Sequence, residues 1–107
     1  MRIRLDECLP RPLKKALTGH DAHTVPEMGW AGTKNGELLK LMVPANFEVF
    51  LTADQNLQHQ QNLRAVNIAV IVLVAPTNKL ADLLPLMPSV LSALGSIKPG
   101  DLLEIDA

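Results

Sequence analysis

The sequence predicts an α/β fold, a three-layer sandwich in which a mainly parallel sheet lies between helices. Short β-rich apolar runs alternate with segments whose apolar residues recur at helical spacing, in the order βαβαβαβαβ. The connections are long enough for right-handed crossovers between parallel strands. Asn67 to Val74 is nearly all apolar and β-branched, as a strand buried on both faces requires. With 107 residues, 48% of them hydrophobic and 20% charged, the chain has enough apolar material for one core and too much for disorder. We read residues 1–107 as a single domain.

Each element has a local reason. Residues 2–6 form a short first strand. Pro10 and Pro12 then suit a first helical turn, where a missing N–H costs little. Leu9, Leu13, Ala16 and Leu17 follow at helical spacing, and Gly19 is a natural C-cap, which predicts a helix over 10–18. Ala22 to Val25 is a second strand, ended by Pro26. A loop over 27–36 holds Gly29, Gly32 and Gly36. Asn35 can cap a helix carrying Leu38, Leu39, Leu41 and Met42, which Pro44 stops. Residues 47–52 are the third strand, and Asp54 can cap a short helix through Leu63. Between 78 and 94, Leu80, Leu83, Leu84, Met87, Val90, Leu91 and Leu94 keep helical spacing. Pro85 and Pro88 predict a kink or two short helices there, ended by Gly95. Leu102 to Ile105 is a last strand at the sheet edge.

Composition excludes several functions. A net charge of −1 removes a broad basic footprint for nucleic acid, although a local patch would suffice. Aromatic residues are only 3%, so the core is aliphatic and stacking platforms for single strands are absent. The single cysteine, Cys8, permits neither an internal disulfide nor a cysteine zinc cluster, and it reads as a small buried apolar group beside the first strand. The start, Met1-Arg2-Ile3-Arg4, lacks the apolar core of a signal peptide. The longest apolar stretch, Ile68 to Ala75, falls far short of the roughly 20 residues that span a bilayer. We expect a soluble cytoplasmic protein with no membrane partner.

The acids carry the chemistry. Asp6-Glu7 closes the first strand, Asp54 closes the third, and Glu37 begins a helix between them. Parallel strands open their C-terminal ends onto one crevice, where α/β sheets bind ligands. Carboxylates that meet there repel and call for a cation or raised pKa values. Mg²⁺ takes oxygen ligands and keeps several waters, so a few carboxylates and a phosphate can complete its shell. Such an ion orients a phosphodiester and lowers the pKa of an attacking water. Each acid also has an ordinary role: Asp54 as an N-cap, Glu37 as a first-turn acid, Glu7 as a solvated charge. His20 and His23, three apart in an extended segment, fall on opposite faces, and His59 lies in a polar run; neither arrangement suits zinc. There is no nucleophile elbow, P-loop or dinucleotide fingerprint.

Several stretches carry a resemblance. Ile3-Arg4-Leu5-Asp6-Glu7-Cys8-Leu9-Pro10 is similar to the "LLDENLP" opening of a bacterial family of PIN-like domains. Gly19-His20-Asp21-Ala22-His23-Thr24-Val25 resembles its "GHDV-TV", Gly32 to Leu39 its "G-s-D-x-E-I-L", and Leu51 to Leu57 its "T-D-x-N-L" segment. Gln60 to Leu63 fits one branch. The resemblance implies a PIN-like α/β/α fold. The wider superfamily contains Mg²⁺- or Mn²⁺-dependent ribonucleases, many of them toxins of toxin–antitoxin systems, whose acids bind metal and activate water. Carried over, Asp6, Glu37 and Asp54 would be the catalytic, metal-holding acids, with Glu7 in support. Asn35 and Asn56 stand where many relatives carry Asp, and each removes an ionised ligand oxygen, so one ion is better supported than two.

The first expectation is a metal-dependent ribonuclease, a toxin-like component with RNA as substrate and an antitoxin protein as partner. Arg11, Lys14 and Lys34 flank the proposed mouth and could contact phosphates. The alternative is a degenerate PIN-like module that binds RNA or protein without turnover. The apolar 80–94 segment would supply a dimer face for a homo-oligomer. A phosphoacceptor receiver ranks third, because Lys98 precedes the last strand and no Met-Pro turn follows Asp54.

Overall fold

Alternation along each strand sorts the side chains of this sheet. The computed structural model describes residues 1–24, 29, 41–42, 44, 46–53 and 68–106. Its strands are β1 (Arg2–Leu5), β2 (Asp21–Thr24), β3 (Val49–Thr52), β4 (Ala69–Val74) and β5 (Leu102–Asp106). They form one sheet in the order β2-β1-β3-β4-β5. Every neighbouring pair is parallel, so all C-terminal strand ends share one edge.

Ile3, Leu5, Val49, Leu51, Ala69, Ile71, Leu73 and Ile105 form one face, an aliphatic core. Burying each larger side chain stabilises the fold by about 1.5–3 kcal/mol. The second face carries Arg4, Phe50, Thr52, Val70 and Val72, all buried. Burial on both faces is what a sheet between two layers requires. The core is not purely aliphatic as expected: Phe50 is fully enclosed and Phe47 nearly so.

Arg4 is also fully buried. Its Nη1 donates to the Thr24 carbonyl at 2.9 Å, and its guanidinium lies 3.6 Å from the Phe47 ring centre. Stacking satisfies the flat faces of the cation while the bond to Thr24 ties β1 to β2.

The first helix is a 3-10 helix, Arg11–Ala16, with Pro at its start. Two prolines remove donors that an α-helix would use, and Leu13 N–H and Leu17 N–H bond three residues back to Pro10 and Lys14. It ends at Leu17 rather than Gly19. Gly19 serves the turn beyond, at φ +82°, where a side chain is strained.

The C-terminal segment breaks where its prolines predict. It runs as α1 (Leu80–Leu83), a 3-10 turn (Leu84–Leu86) and α2 (Met87–Leu94), capped at Gly95. Leu83, Leu86, Met87, Val90 and Leu94 all enter the core. The apolar side of 80–94 is therefore covered by its own sheet, not presented as the expected dimer face; Leu84, at 43% exposure, is the large apolar side chain left outside.

The 3-10 helix and α1–α2 pack on the same face of the sheet. Yet the β1–β2 and β4–β5 connections step in opposite directions across it. Two right-handed crossovers would put those helices on opposite faces. The two connections thus have opposite hands, a departure from the uniform right-handed winding expected. The helices expected over 35–43 and 55–63 lie outside the described residues, except that Leu41 and Met42 are helical.

Candidate functional site

The strand register builds the site. Leu5 pairs with Leu51, and one step further the Asp6 N–H donates to the Leu51 carbonyl at 2.9 Å. That step sets Asp6 beside Thr52 on the same face of the sheet. The Thr52 hydroxyl donates to Asp6 Oδ2 at 2.6 Å. The Glu7 N–H donates to Asp6 Oδ1 at 2.8 Å, and the Cys8 thiol lies 3.5 Å from Oδ2. Asp6 is only 7% exposed and Thr52 is fully enclosed.

A buried carboxylate survives when donors surround it. Here a hydroxyl, a backbone N–H and a thiol fix both oxygens, so the Asp6 carboxylate cannot turn freely. Its Oδ1 accepts one described bond and can offer a second lone pair outward. Such an oxygen, held at the C-terminal edge of a parallel sheet, suits a hard cation.

Cys8 corrects the sequence reading. It is exposed rather than buried, because it occupies the turn after β1 instead of the strand. Its thiol is nonetheless partly shielded from water: burial pushes its pKa up, and the neighbouring Asp6 charge adds to that while a backbone bond at Ala53 opposes it.

The other expected residues divide clearly. Glu7 is exposed in the turn directly after Asp6. Arg11 opens the 3-10 helix just past the end of β1 and is exposed, and Lys14 is half-buried one turn later. Glu37, Asp54 and Lys34 lie outside the described residues, as do Asn35 and Asn56. Among the described residues, no three His, Cys, Asp or Glu side chains come together as a metal cluster.

Thr52 is the member that sequence reasoning missed. Its signal was there: a hydroxyl closing the otherwise apolar run Val49-Phe50-Leu51 on a central strand. The loop after β4 was missed too. It opens on the same edge, where Thr77 Oγ1 bonds Asp82 Oδ2 at 2.5 Å and Lys79 is exposed.

A sizeable hollow lies elsewhere. A cavity of about 400 Å³ lies at the N-terminal strand ends, among Phe47, Glu48, Val49, Ile68, Ile97 and Lys98. Glu48 bonds the Arg2 N–H at 3.2 Å. We weigh the buried, oriented carboxylate above the larger volume, since chemistry needs fixed polar groups.

Among the described residues, no helix is long and apolar enough to cross a membrane. No curated protein and no solved structure matches the chain. The family model described as "PIN like domain" matches residues 1–75, a span that holds β1 to β4, Asp6, Thr52 and every acid proposed for the site. With a five-stranded parallel sheet and that match over most of its length, the chain belongs to the PIN-like domain family.

Proposed function

We propose that this PIN-like domain is a Mg²⁺- or Mn²⁺-dependent ribonuclease that acts as the toxin component of a toxin–antitoxin pair. The observation that carries the reading is the Asp6 carboxylate, 7% exposed at the edge of the sheet and fixed by Thr52 and the Glu7 N–H. Asp54 follows Thr52 by two positions in the sequence, which favours its joining Asp6.

The donor set fits a hard cation, because all of its ligands would be oxygens. Asp6 and Asp54 would hold the ion, with Glu7 and Glu37 holding or activating water. The ion supplies charge neutralisation at the phosphodiester and a more acidic water. Asp6 contributes a preset ligand direction, because its Thr52 bond leaves little to reorganise. Arg11, Lys14 and Lys34 would bind flanking phosphates of single-stranded RNA as point charges or forks.

The test is cleavage of single-stranded RNA by the purified chain with Mg²⁺ or Mn²⁺. Cleavage that disappears in Asp6→Ala and Asp54→Ala supports the enzyme. Absence of cleavage, or cleavage indifferent to both changes, rejects it. The second reading, a degenerate module that binds RNA or protein without turnover, is favoured by Asn35 and Asn56 and by the net charge of −1. Calorimetry showing no Mn²⁺ binding near millimolar concentration selects that reading.

A further inference from the structure

In a parallel sheet every connection leaves from the same edge. The 3-10 helix opens at Arg11, just past β1, and α1 begins directly after Lys79, past β4. Both helices cover the first face, the one that holds Ile3, Leu5 and Leu51, and they touch each other. Because α1 is only four residues long, a neighbour of α1 is also near Lys79. Arg11 and Lys79 therefore stand on one lip of the strand-end edge. Asp6 stands on the other: it follows Leu5 by one position, and alternation turns it with Thr52 to the second face.

Both cations are exposed, and among the described residues no acid lies within ion-pair distance of either. Asp82, the acid nearest to Lys79 in the sequence, is otherwise engaged. Its carboxylate accepts from the Thr77 hydroxyl at 2.5 Å, and that hydroxyl accepts from the Lys79 N–H at 3.1 Å. The turn is thus fixed by its own bonds while the Lys79 ammonium is left to solvent. Set on the opposite face from Asp6, the two cations leave that acid open to a metal ion, yet both charges border one edge.

We propose that Arg11 and Lys79 form a cationic lip that holds the phosphates flanking the scissile one in single-stranded RNA. Lys79 is then a substrate-binding residue beyond residues 1–75, which the family model matches. This inference deepens the ribonuclease reading and rests on it. The work divides by face: acids and ion meet the scissile phosphate from the second face, and the lip neutralises its neighbours from the first. The ends of β1 and β4 are two strand spacings apart, about 10 Å, so Arg11 and Lys79 reach separate phosphates. Phosphate contacts carry no base information, so the lip holds every sequence alike.

The experiment measures binding and cleavage separately on the whole chain. Fluorescence anisotropy of a labelled single-stranded RNA, with EDTA present, gives affinity without turnover. Initial rates with Mn²⁺ give KM and kcat. We expect Lys79→Gln to weaken binding about fivefold and to lower the slope of log affinity against log salt by about 0.7, equally on A-rich and U-rich strands. KM should rise by the same factor with kcat unchanged, and Lys79→Arg should keep the affinity. Lys98→Gln, at the other end of the sheet, should change neither. Wild-type affinity and salt slope in Lys79→Gln overturn the lip, and so do a chain that binds no RNA and a loss confined to kcat. Failure of the ribonuclease reading looks different: a chain that binds RNA through Lys79 without cleaving it keeps the lip and loses the enzyme.

Discussion

The two ends of the sheet solve opposite problems. At the C-terminal end, polar groups converge on one buried carboxylate: Asp6 is held by Thr52 at 2.6 Å and by the Glu7 N–H at 2.8 Å. At the N-terminal end, a cavity of about 400 Å³ opens among mostly apolar walls. Beside it the Arg2 backbone N–H donates to Glu48, and the Arg2 guanidinium pairs with Asp21 and lies 4.3 Å from the Phe47 ring centre. The difference shows that volume and chemical readiness are separate properties. A hollow can be left by imperfect packing. A buried carboxylate with its orientation fixed costs several kcal/mol unless it is satisfied, so such a group marks a site more sharply.

That contrast can be broken by four measurements. The largest effect is expected from Asp6→Asn, which keeps the shape but removes the charge. RNA cleavage should fall about 100-fold or more, as expected when several kcal/mol of metal-ligand stabilisation are lost. Unfolding in urea should meanwhile shift by only about 1 kcal/mol, because an amide still meets Thr52. Next comes Arg4→Ala, which removes the stack on Phe47 and the donor to Thr24. It should cost about 3 kcal/mol of stability in the same assay. A cost well under that would mean that the second face is not held by its cation.

Thr52→Val, which changes little but the hydroxyl, sharpens the comparison. It should cost about 1.5–2 kcal/mol and weaken Mn²⁺ binding about tenfold by calorimetry. Unchanged binding would show that Asp6 needs no support from β3. The smallest effect belongs to the other end. Lys98→Ala, at the rim of the large cavity, should alter stability by less than about 0.5 kcal/mol and leave the cleavage rate the same.

Much of this was legible in the chain. The central strand over 69–74 follows from a β-branched run with no charge in it. The broken helix over 80–94 follows from Pro85 and Pro88, whose missing N–H groups allow a change of helix type at those points. Asp6 could be placed because it ends a strand, and strand ends are where composition changes abruptly. Thr52 could not, because a threonine in a strand reads as a β-former and only the register with β1 turns its hydroxyl toward a carboxylate. Cys8 was misjudged because side chains in a turn follow no period. The meaning of Arg4 was hidden because a cation in a strand normally faces water, and its burial depends on Phe47, more than forty positions away. The opposite hands of the outer crossovers were also out of reach, since hand is settled by which face a helix packs on and not by connection length.

Strand order sets when the Asp6 anchor can exist. β1 is made first but lies between β2 and β3, and the hydroxyl that orients Asp6 comes from residue 52. Nascent chain that has left the ribosome only as far as β2 carries the acid without its support. Any metal-holding competence must await the arrival of β3, a non-local event of the kind that slows folding. A hazardous activity in such a chain would be withheld throughout the early part of translation by topology alone.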